Sequence, residues 1–236
     1  MAMNVNEGVN TLRPIYDFAL PSLENDLGSR SLIYKAIPPG SYVLDVGCDT
    51  GRFGEALRTQ KNCDVDGVEP YLTAAEVAKT RLNNVFVRSI KNEQSFDGLV
   101  NYNAILFLCV LEHLQDPWAV LKGALKTLKP GGTVYVVVPN IAHISVVRRL
   151  LLGQFDYSQF GTMDRTHLRW FTRKSLRESL ENAGFVNINI DIIPTVPYLN
   201  QNFFISRFLT KQIGTILPDL FGSSIIGFGS KPITNE

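Results

Sequence analysis

Short runs of consecutive apolar residues alternate along this chain with segments in which apolar residues recur at helical spacing. Such runs predict strands at 42–46, where one acid interrupts the run, and at 85–87, 103–110 and 133–138. A further strand is predicted at 63–68. Between two of these runs, Trp118, Leu121 and Leu125 stand three or four positions apart, which is typical of a helix that packs on a sheet. Parallel strands that are covered on both faces are apolar at consecutive positions, so the pattern predicts an α/β fold with a doubly wound sheet.

Both ends of the chain predict further elements. Residues 186–192 alternate between apolar and polar, which predicts a half-exposed strand near the sheet edge, and residues 223–229 predict the last strand. The apolar segment 203–217 predicts a helix that either joins the core or forms a homodimer contact. At the other end, an arm over 1–22 precedes a helix over 22–36.

A Pro-Pro-Gly sequence at 38–40 ends the first helix and marks a boundary between two regions. We therefore divide the chain into an N-terminal arm with a cap helix, residues 1–39, and a main domain, residues 40–236.

A glycine-containing turn follows the first predicted strand and predicts a ligand site. A dinucleotide-binding turn has the spacing G-x-G-x-x-G, but Asp49 stands at its first glycine position, where a carboxylate would repel two phosphates. The alternative spacing is acid-x-Gly-x-x-x-Gly, which Asp45, Gly47 and Gly51 provide, and Glu69 ends the next strand. An acidic turn of this kind favours a ligand with an amino group, a sulfonium and ribose hydroxyls.

The sequence Val-Leu-Asp-Val-Gly-Cys-Asp-Thr-Gly at 43–51 resembles the first motif of the class I S-adenosylmethionine-dependent methyltransferases. That family usually has glycine where Asp49 stands, and aspartate tolerates a left-handed backbone better than most residues. The resemblance implies a Rossmann-like sheet of seven strands, mostly parallel, whose last strand is antiparallel and lies between strands five and six. It also implies S-adenosylmethionine as the cofactor.

The resemblance assigns cofactor contacts to the ends of successive strands. Glu69 follows Gly51 at close to the interval of about 20 residues that places a carboxylate on ribose hydroxyls. The family often has an acid after strand three, whereas this chain offers Ser89 or backbone groups to the adenine. The predicted cofactor residues are Asp45, Gly47, Cys48, Asp49, Gly51, Glu69, Ser89, Cys109 and Val110.

A crossover segment, residues 139–172, follows strand five and predicts a substrate lid. It is far longer than an ordinary connection of about 4–6 residues, and it is rich in aromatic and charged residues. Pro-Asn-Ile-Ala-His at 139–143, Gly-x-Phe-x-Tyr at 153–157 and Asp-x-Thr-His-Leu-Arg-x-Phe-Thr at 164–172 together resemble one bacterial branch of the methyltransferases. Members of that branch are often associated with glycan, surface or secondary-metabolite biosynthesis.

The histidines of the crossover segment are the candidates for a general base. Methyl transfer from a sulfonium needs alignment and a dry site but in principle no metal, whereas a hydroxyl acceptor needs a base. We predict His167 as that base, steadied by Asp164, with His143 as the second candidate. A structural role for His167, locking the lid to the sheet, stays equally open. Glu112 and His113 serve either catalysis or the hydrogen bonding of the loop after strand four.

Composition and charge limit the partners and the cellular compartment that the sequence predicts. The 236 residues include 23 basic and 22 acidic residues without a dense basic run, so nucleic acid is not an expected partner. The three cysteines form no disulfide framework and no Cys-x-x-Cys metal pair, which indicates a reducing cytoplasm. A signal peptide and a membrane span of about 20 apolar residues are not expected. Four crossover arginines either bind an acidic or phosphorylated acceptor or stay solvated: Arg148, Arg149, Arg165 and Arg169.

Three functions are therefore compared. The first is methyl transfer to a small-molecule acceptor, most simply a hydroxyl of a sugar, glycan or secondary metabolite. The second is a nicotinamide-dependent sugar epimerase or reductase, because residues 50–54 partly mimic a dinucleotide turn, although the sequence has no Tyr-x-x-x-Lys pair. The third is a non-catalytic subunit that binds S-adenosylmethionine.

Overall fold

A computed structural model describes residues 28–194 and 217–233. Its strands are β1 (Tyr42–Val46), β2 (Asp64–Val68), β3 (Asn84–Phe86), β4 (Tyr102–Leu108), β5 (Leu128–Pro139), β6 (Val186–Pro194) and β7 (Gly222–Ser230). Its α-helices are α1 (Ser29–Ala36), α2 (Arg52–Lys61), α3 (Leu72–Ala78), α4 (Pro117–Thr127), α5 (Ile144–Leu151), α6 (Arg173–Ala183) and α7 (Pro218–Phe221). Short 3₁₀ helices occupy Glu93–Phe96 and Leu111–His113.

All seven strands form one sheet in the order β3-β2-β1-β4-β5-β7-β6. Six strands are parallel to one another, and β7 pairs antiparallel with both β5 and β6. This confirms the predicted doubly wound, Rossmann-like fold, including the insertion of the last strand between strands five and six. The strand order reverses between β1 and β4, and ligands of such sheets bind beyond the carboxyl ends of the strands at that point.

Both faces of the sheet carry a hydrophobic core, as the runs of consecutive apolar residues predict. On β4, Ile105 and Phe107 enter the core on one face, and Ala104 and Leu106 enter the core on the other. Helices α4 and α6 cover the first face, and α1 and α2 cover the second. Because each strand contributes alternate residues to the two cores, shifting a strand by one position would exchange every one of these contacts.

The sequence at 71–82 suits a helix, but the structure has a shorter one there. Helix α3 stops at Ala78, and the backbone N–H groups of Arg81 and Leu82 both donate to the Ala78 carbonyl in a turn. The turn places the buried Leu82 side chain between α2 and β2. A Cβ atom added at Gly54 or Gly67 would lie 2.5 Å or 2.7 Å from its methyl carbons. Packing of Leu82 against these bare backbones therefore ends the helix.

Most other strand boundaries agree to within one or two residues, but β5 begins at Leu128, five residues before the predicted start. Strand β4 ends at Leu108 rather than at 110, so the chain leaves the sheet before the predicted pocket wall. Thr172 caps α6 through the Ser175 N–H, and Gly184 ends it at a φ of 99°. The predicted arm over 1–22 and almost all of the predicted helix at 203–217 lie outside the described residues. Within the described ranges, no helix is both long enough and apolar enough to cross a membrane.

A buried carboxylate holds the centre of the sheet. Asp66 on β2 is fully enclosed, and its Oδ2 accepts hydrogen bonds from the hydroxyls of Tyr42 at 2.5 Å and Tyr102 at 2.8 Å. Its Oδ1 accepts from the Asn84 amide at 2.8 Å. One acid thus links β2 to the adjacent strands β1 and β3 and to β4 beyond β1.

We expect Asp66→Ala to lower the free energy of unfolding by about 2–4 kcal/mol, because two buried tyrosine hydroxyls lose a charged acceptor. Urea denaturation followed by circular dichroism measures this difference. The control is Asp64→Ala on the same strand, whose carboxylate is exposed; its cost should stay near about 0.5 kcal/mol. Equal costs for the two variants would contradict the prediction.

Candidate functional site

The turn after β1 is tied to the end of β2. The backbone N–H groups of Gly47 and Cys48 both donate to the Val68 carbonyl, at 2.8 Å and 3.2 Å. Gly47 has a φ of 73°, and a Cβ atom there would lie 2.7 Å from a Val110 methyl carbon. Only glycine therefore fits, and the turn touches the segment after β4 as the predicted pocket requires.

Glu69 is held in place by two backbone groups. Its Oε2 accepts from the Asp49 N–H at 2.9 Å, and its Oε1 accepts from the Tyr71 N–H at 3.0 Å. Asp49 has a φ of 50° and Gly51 a φ of 77°, so the left-handed backbone expected at Asp49 is present. Only 2% of Glu69 is exposed, so its carboxylate has a fixed orientation beside the turn.

Negative charge is concentrated at this turn. Burial raises the pKa of Asp45 to about 7, with contributions from the charges of Glu69 and Asp49 and against the opposing Arg30 guanidinium on α1. In the protein without a ligand, Asp45 therefore holds a proton at pH values below about 7. A cationic ligand would favour the ionised form.

Arg30 is a member of the site that sequence reasoning missed. It stands on a helix 15 positions before Asp45, and no motif connects the two residues. Its influence on the Asp45 carboxyl shows that α1 brings a positive charge to the acidic turn. A guanidinium in this place suits the carboxylate of an amino-acid ligand.

Three predicted cofactor residues have different surroundings from one another. The Cys48 side chain packs in the core, where a Cβ atom added at Gly67 would lie 2.5 Å from its sulfur, so only its backbone faces the turn. Cys48 therefore stays a predicted cofactor residue through its backbone. Ser89 is exposed beyond β3, and Cys109 is exposed beyond β4 with a φ of 62°. A left-handed non-glycine residue is strained, and such strain is concentrated at functional sites.

These features fit the predicted cofactor. The bare Gly47 backbone permits close approach, Glu69 presents an oriented buried carboxylate, and Asp45 gains from a nearby positive charge. S-adenosylmethionine carries ribose hydroxyls, a sulfonium and an ammonium group, which match acidic partners, and one carboxylate, which matches Arg30.

The returning part of the crossover segment lies on the segment after β4. The N–H groups of Leu168 and Arg169 both donate to the Glu112 carbonyl, at 2.8 Å and 3.0 Å. The Arg169 guanidinium also donates to the Gln115 carbonyl at 2.6 Å. Backbone hydrogen bonding of the loop after strand four, one of the two roles considered for Glu112, is therefore present.

Asn140 holds the start of the same crossover segment. Its side chain is fully buried and donates to the carbonyls of Asp219 and Gly222, both at 2.7 Å, while its oxygen accepts from the Ala142 N–H at 3.0 Å. Every hydrogen bond of this amide therefore goes to the chain itself. Its position at the functional edge of the sheet reflects packing.

The candidate bases occupy two different settings. His143 caps α5, with its Nδ1 at 2.7 Å from the Ser145 hydroxyl. His167 is 8% exposed, and its Nδ1 lies 3.0 Å from the Thr162 carbonyl. Because a carbonyl can only accept, Nδ1 of His167 carries the proton and Nε2 carries the lone pair.

The Asp164 carboxylate, which is predicted to steady His167, makes its hydrogen bonds to a nearer residue. Asp164 Oδ1 accepts instead from the Thr166 N–H at 2.8 Å and from the Thr166 hydroxyl at 2.7 Å. Aspartate readily bonds to the backbone two positions ahead, and this local turn uses its carboxylate. Asp164 still positions His167 through the backbone, since its carbonyl accepts the His167 N–H at 3.0 Å.

Glu112, for which the sequence leaves catalysis and loop hydrogen bonding open, has an unusual environment. Only 1% of it is exposed, and within the described ranges neither carboxyl oxygen has a hydrogen-bond partner. Burial raises the pKa of Glu112 to about 8, so the carboxyl is mostly neutral at neutral pH. It lies beside His113 and His167, whose rings meet edge to face at 4.8 Å between centroids.

The outer surface of the crossover segment is apolar and aromatic. Phe155, Tyr157 and Trp170 pack together, with ring centroids 5.6 to 6.3 Å apart. Arg149 is paired with Asp156. In the part of the chain that the structure describes, Arg148 and Arg165 are exposed and form no ion pair. Further exposed apolar side chains on this surface are Leu150, Leu151, Leu152, Phe160 and Leu168.

Comparisons with known proteins identify the family of the chain. A family profile described as a methyltransferase domain matches residues 24–190. An uncharacterized protein of Methanocaldococcus jannaschii is 25% identical over 99% of this chain and 93% of its own length. A ubiquinone biosynthesis O-methyltransferase of Aliivibrio fischeri is 33% identical over 43% of this chain, and the match spans 45% of that enzyme.

Solved structures share the architecture. A crystal structure of a SAM-dependent methyltransferase from Archaeoglobus fulgidus superposes with a TM-score of 0.62 over 88% of this chain and 97% of that one. The sequences are 18% identical over the match, so this similarity concerns the fold.

We expect the affinity for S-adenosylmethionine to fall by up to about tenfold per pH unit below pH 7 and to level off above it. The cationic ligand binds best when Asp45 is ionised, and below about pH 7 a proton must first leave. Isothermal titration calorimetry between about pH 6 and 8 measures the slope.

Two controls separate Asp45 from other titrating groups. Asp45→Asn should make the affinity for S-adenosylmethionine independent of pH, at the low value that the parent chain has at acidic pH. S-adenosylhomocysteine lacks the sulfonium charge, so its affinity for the parent chain should depend less on pH. A variant that keeps the full slope would contradict the assignment to Asp45.

Proposed function

This chain belongs to the S-adenosylmethionine-dependent methyltransferases, and on that premise we propose that it methylates a hydroxyl group of a small-molecule acceptor, such as a sugar, glycan unit or secondary metabolite. The family assignment removes the nicotinamide-dependent and the non-catalytic alternatives. When bound, the cofactor supplies an electrophilic methyl group on a sulfonium. The chain must then align the acceptor, exclude water and take up the proton of the hydroxyl.

The observation that carries this proposal is the tautomer of His167. Its Nδ1–H is engaged by the Thr162 carbonyl, so the buried Nε2 has a lone pair that can accept a proton. Backbone hydrogen bonds at Leu168 and Arg169 hold this histidine against the segment after β4, which begins at the predicted cofactor cleft. A histidine in this state is suited to deprotonate an alcohol as methyl transfer proceeds.

The surroundings support a hydroxylated and anionic acceptor. The exposed aromatic side chains of the crossover segment offer flat apolar faces to a ring, and Arg148 and Arg165 carry positive charges that no carboxylate of the described chain neutralises. Guanidinium groups bind carboxylates and phosphates through paired hydrogen bonds. The relative from Aliivibrio fischeri is named an O-methyltransferase, which favours oxygen as the methylated atom.

The predicted setting is the cytoplasm. Cys48, Cys63 and Cys109 are all free thiols in the structure, as a reducing compartment would keep them.

We expect His167→Gln to lower kcat by about 10²–10⁴, because glutamine keeps a polar side chain but cannot accept the proton. The dissociation constant for S-adenosylmethionine should stay within about twofold, since the cofactor residues lie on other elements. Release of S-adenosylhomocysteine, measured with a panel of neutral and acidic hydroxylated acceptors, gives kcat, and calorimetry gives the dissociation constant.

His143→Gln is the matched control for this test. That ring caps α5 rather than facing the proposed acceptor, so its replacement should change kcat by less than about tenfold. An unchanged kcat in His167→Gln, or a larger loss of kcat in His143→Gln, would contradict the assignment of His167 as the base.

A further inference from the structure

Three potential ligand groups meet where the crossover segment lies on the loop after β4. Glu112 and His113 belong to the 3₁₀ helix Leu111–His113, and His167 comes from the crossover segment. One carboxylate oxygen and one nitrogen from each ring lie within 4.8 Å of one another. No metal site is predicted from the sequence, and the two parts of this group are more than 50 positions apart in the chain.

Hydrogen bonds orient both rings in the same way. His167 Nδ1 donates to the Thr162 carbonyl at 3.0 Å, and His113 Nδ1 lies 3.2 Å from the Thr166 carbonyl. The Thr166 hydroxyl donates a hydrogen bond to Asp164, and its oxygen is therefore able to accept a hydrogen bond from His113 Nδ1. Each imidazole therefore has its lone pair on Nε2. Histidines that bind metals show this arrangement, with the other ring nitrogen donating to a carbonyl or a carboxylate.

Glu112 supplies an independent observation. Its carboxyl group is almost completely buried, and neither oxygen has a partner within the described ranges. Leaving such a group unsatisfied costs free energy, and buried acids are normally paired with a cation or with hydrogen-bond donors. The groups nearest to it are two imidazoles, which offer lone pairs when neutral.

We propose that Glu112, His113 and His167 bind one divalent transition-metal ion of the zinc class. Two imidazole nitrogens and one carboxylate are a common ligand set for such ions, and they leave a coordination position open. The ion would join the crossover segment to the loop after β4, adding to the backbone hydrogen bonds that already connect them.

This inference goes beyond the proposed function and does not depend on it. With an ion bound, His167 Nε2 is a ligand and no longer a base, so the two roles exclude each other at any moment. The binding test therefore uses neither cofactor nor acceptor. Its failure would leave methyl transfer untouched, and failure of methyl transfer would leave the metal site untouched.

The full chain, treated with a chelator and dialysed, is titrated with Zn²⁺ in competition with a chromophoric chelator, and with Co²⁺ followed by its visible absorption. We expect one equivalent of Zn²⁺ to bind and the melting temperature to rise as the ion occupies the folded state. Glu112→Gln, His113→Gln and His167→Gln should each weaken binding by about tenfold or more.

Two control variants test other sources of binding. His143→Gln and Cys63→Ser change a histidine and a free thiol outside the cluster, and they should leave the affinity for Zn²⁺ as in the parent chain. Circular dichroism tests whether each variant folds. His113 is half-buried, whereas Glu112 and His167 are buried, so His113→Gln is the ligand variant that disturbs the core least. Absence of stoichiometric binding, or binding that the control variants abolish and the cluster variants keep, overturns the proposal.

Discussion

The Val68 carbonyl accepts two N–H groups from the turn after β1, and the carboxylate of the next residue, Glu69, accepts a third from Asp49. These bonds hold the end of β2 against a turn whose backbone is left-handed at three positions. Every other part of the site is placed relative to this junction. Gly47 contacts Val110, which begins the loop after β4, and that loop in turn supports the crossover segment.

The backbone carbonyl of Glu112 connects the predicted cofactor site with the proposed acceptor site. The Glu112 carbonyl accepts the N–H groups of Leu168 and Arg169, so the backbone of Glu112 holds the crossover segment while its carboxyl stays buried without a partner. This arrangement places His167 beside Glu112 and His113. The proposed base and the proposed metal site follow from the same contact, and a bound proton or a bound ion would be alternative states of one cluster.

Sequence reasoning correctly predicted the parts of the site that are local in the chain. The left-handed backbone at Asp49 and the acid at the end of β2 follow from residues within one strand, one turn and one helix start. The directions of individual side chains do not follow from the sequence. The Asp164 carboxylate bonds to Thr166 two positions ahead, and Cys48 turns into the core because Gly67 leaves room for its sulfur.

The sequence by itself determined the order of strands and helices, the antiparallel last strand, the acidic turn and the presence of a long crossover, because these depend on periodicity, on turn chemistry and on recognisable motifs. Only the tertiary structure decided that Arg30 reaches Asp45 and that Glu112, His113 and His167 form one cluster. The reason is physical: burial and electrostatic coupling depend on distances in space between residues far apart in the chain, and no local pattern encodes those distances.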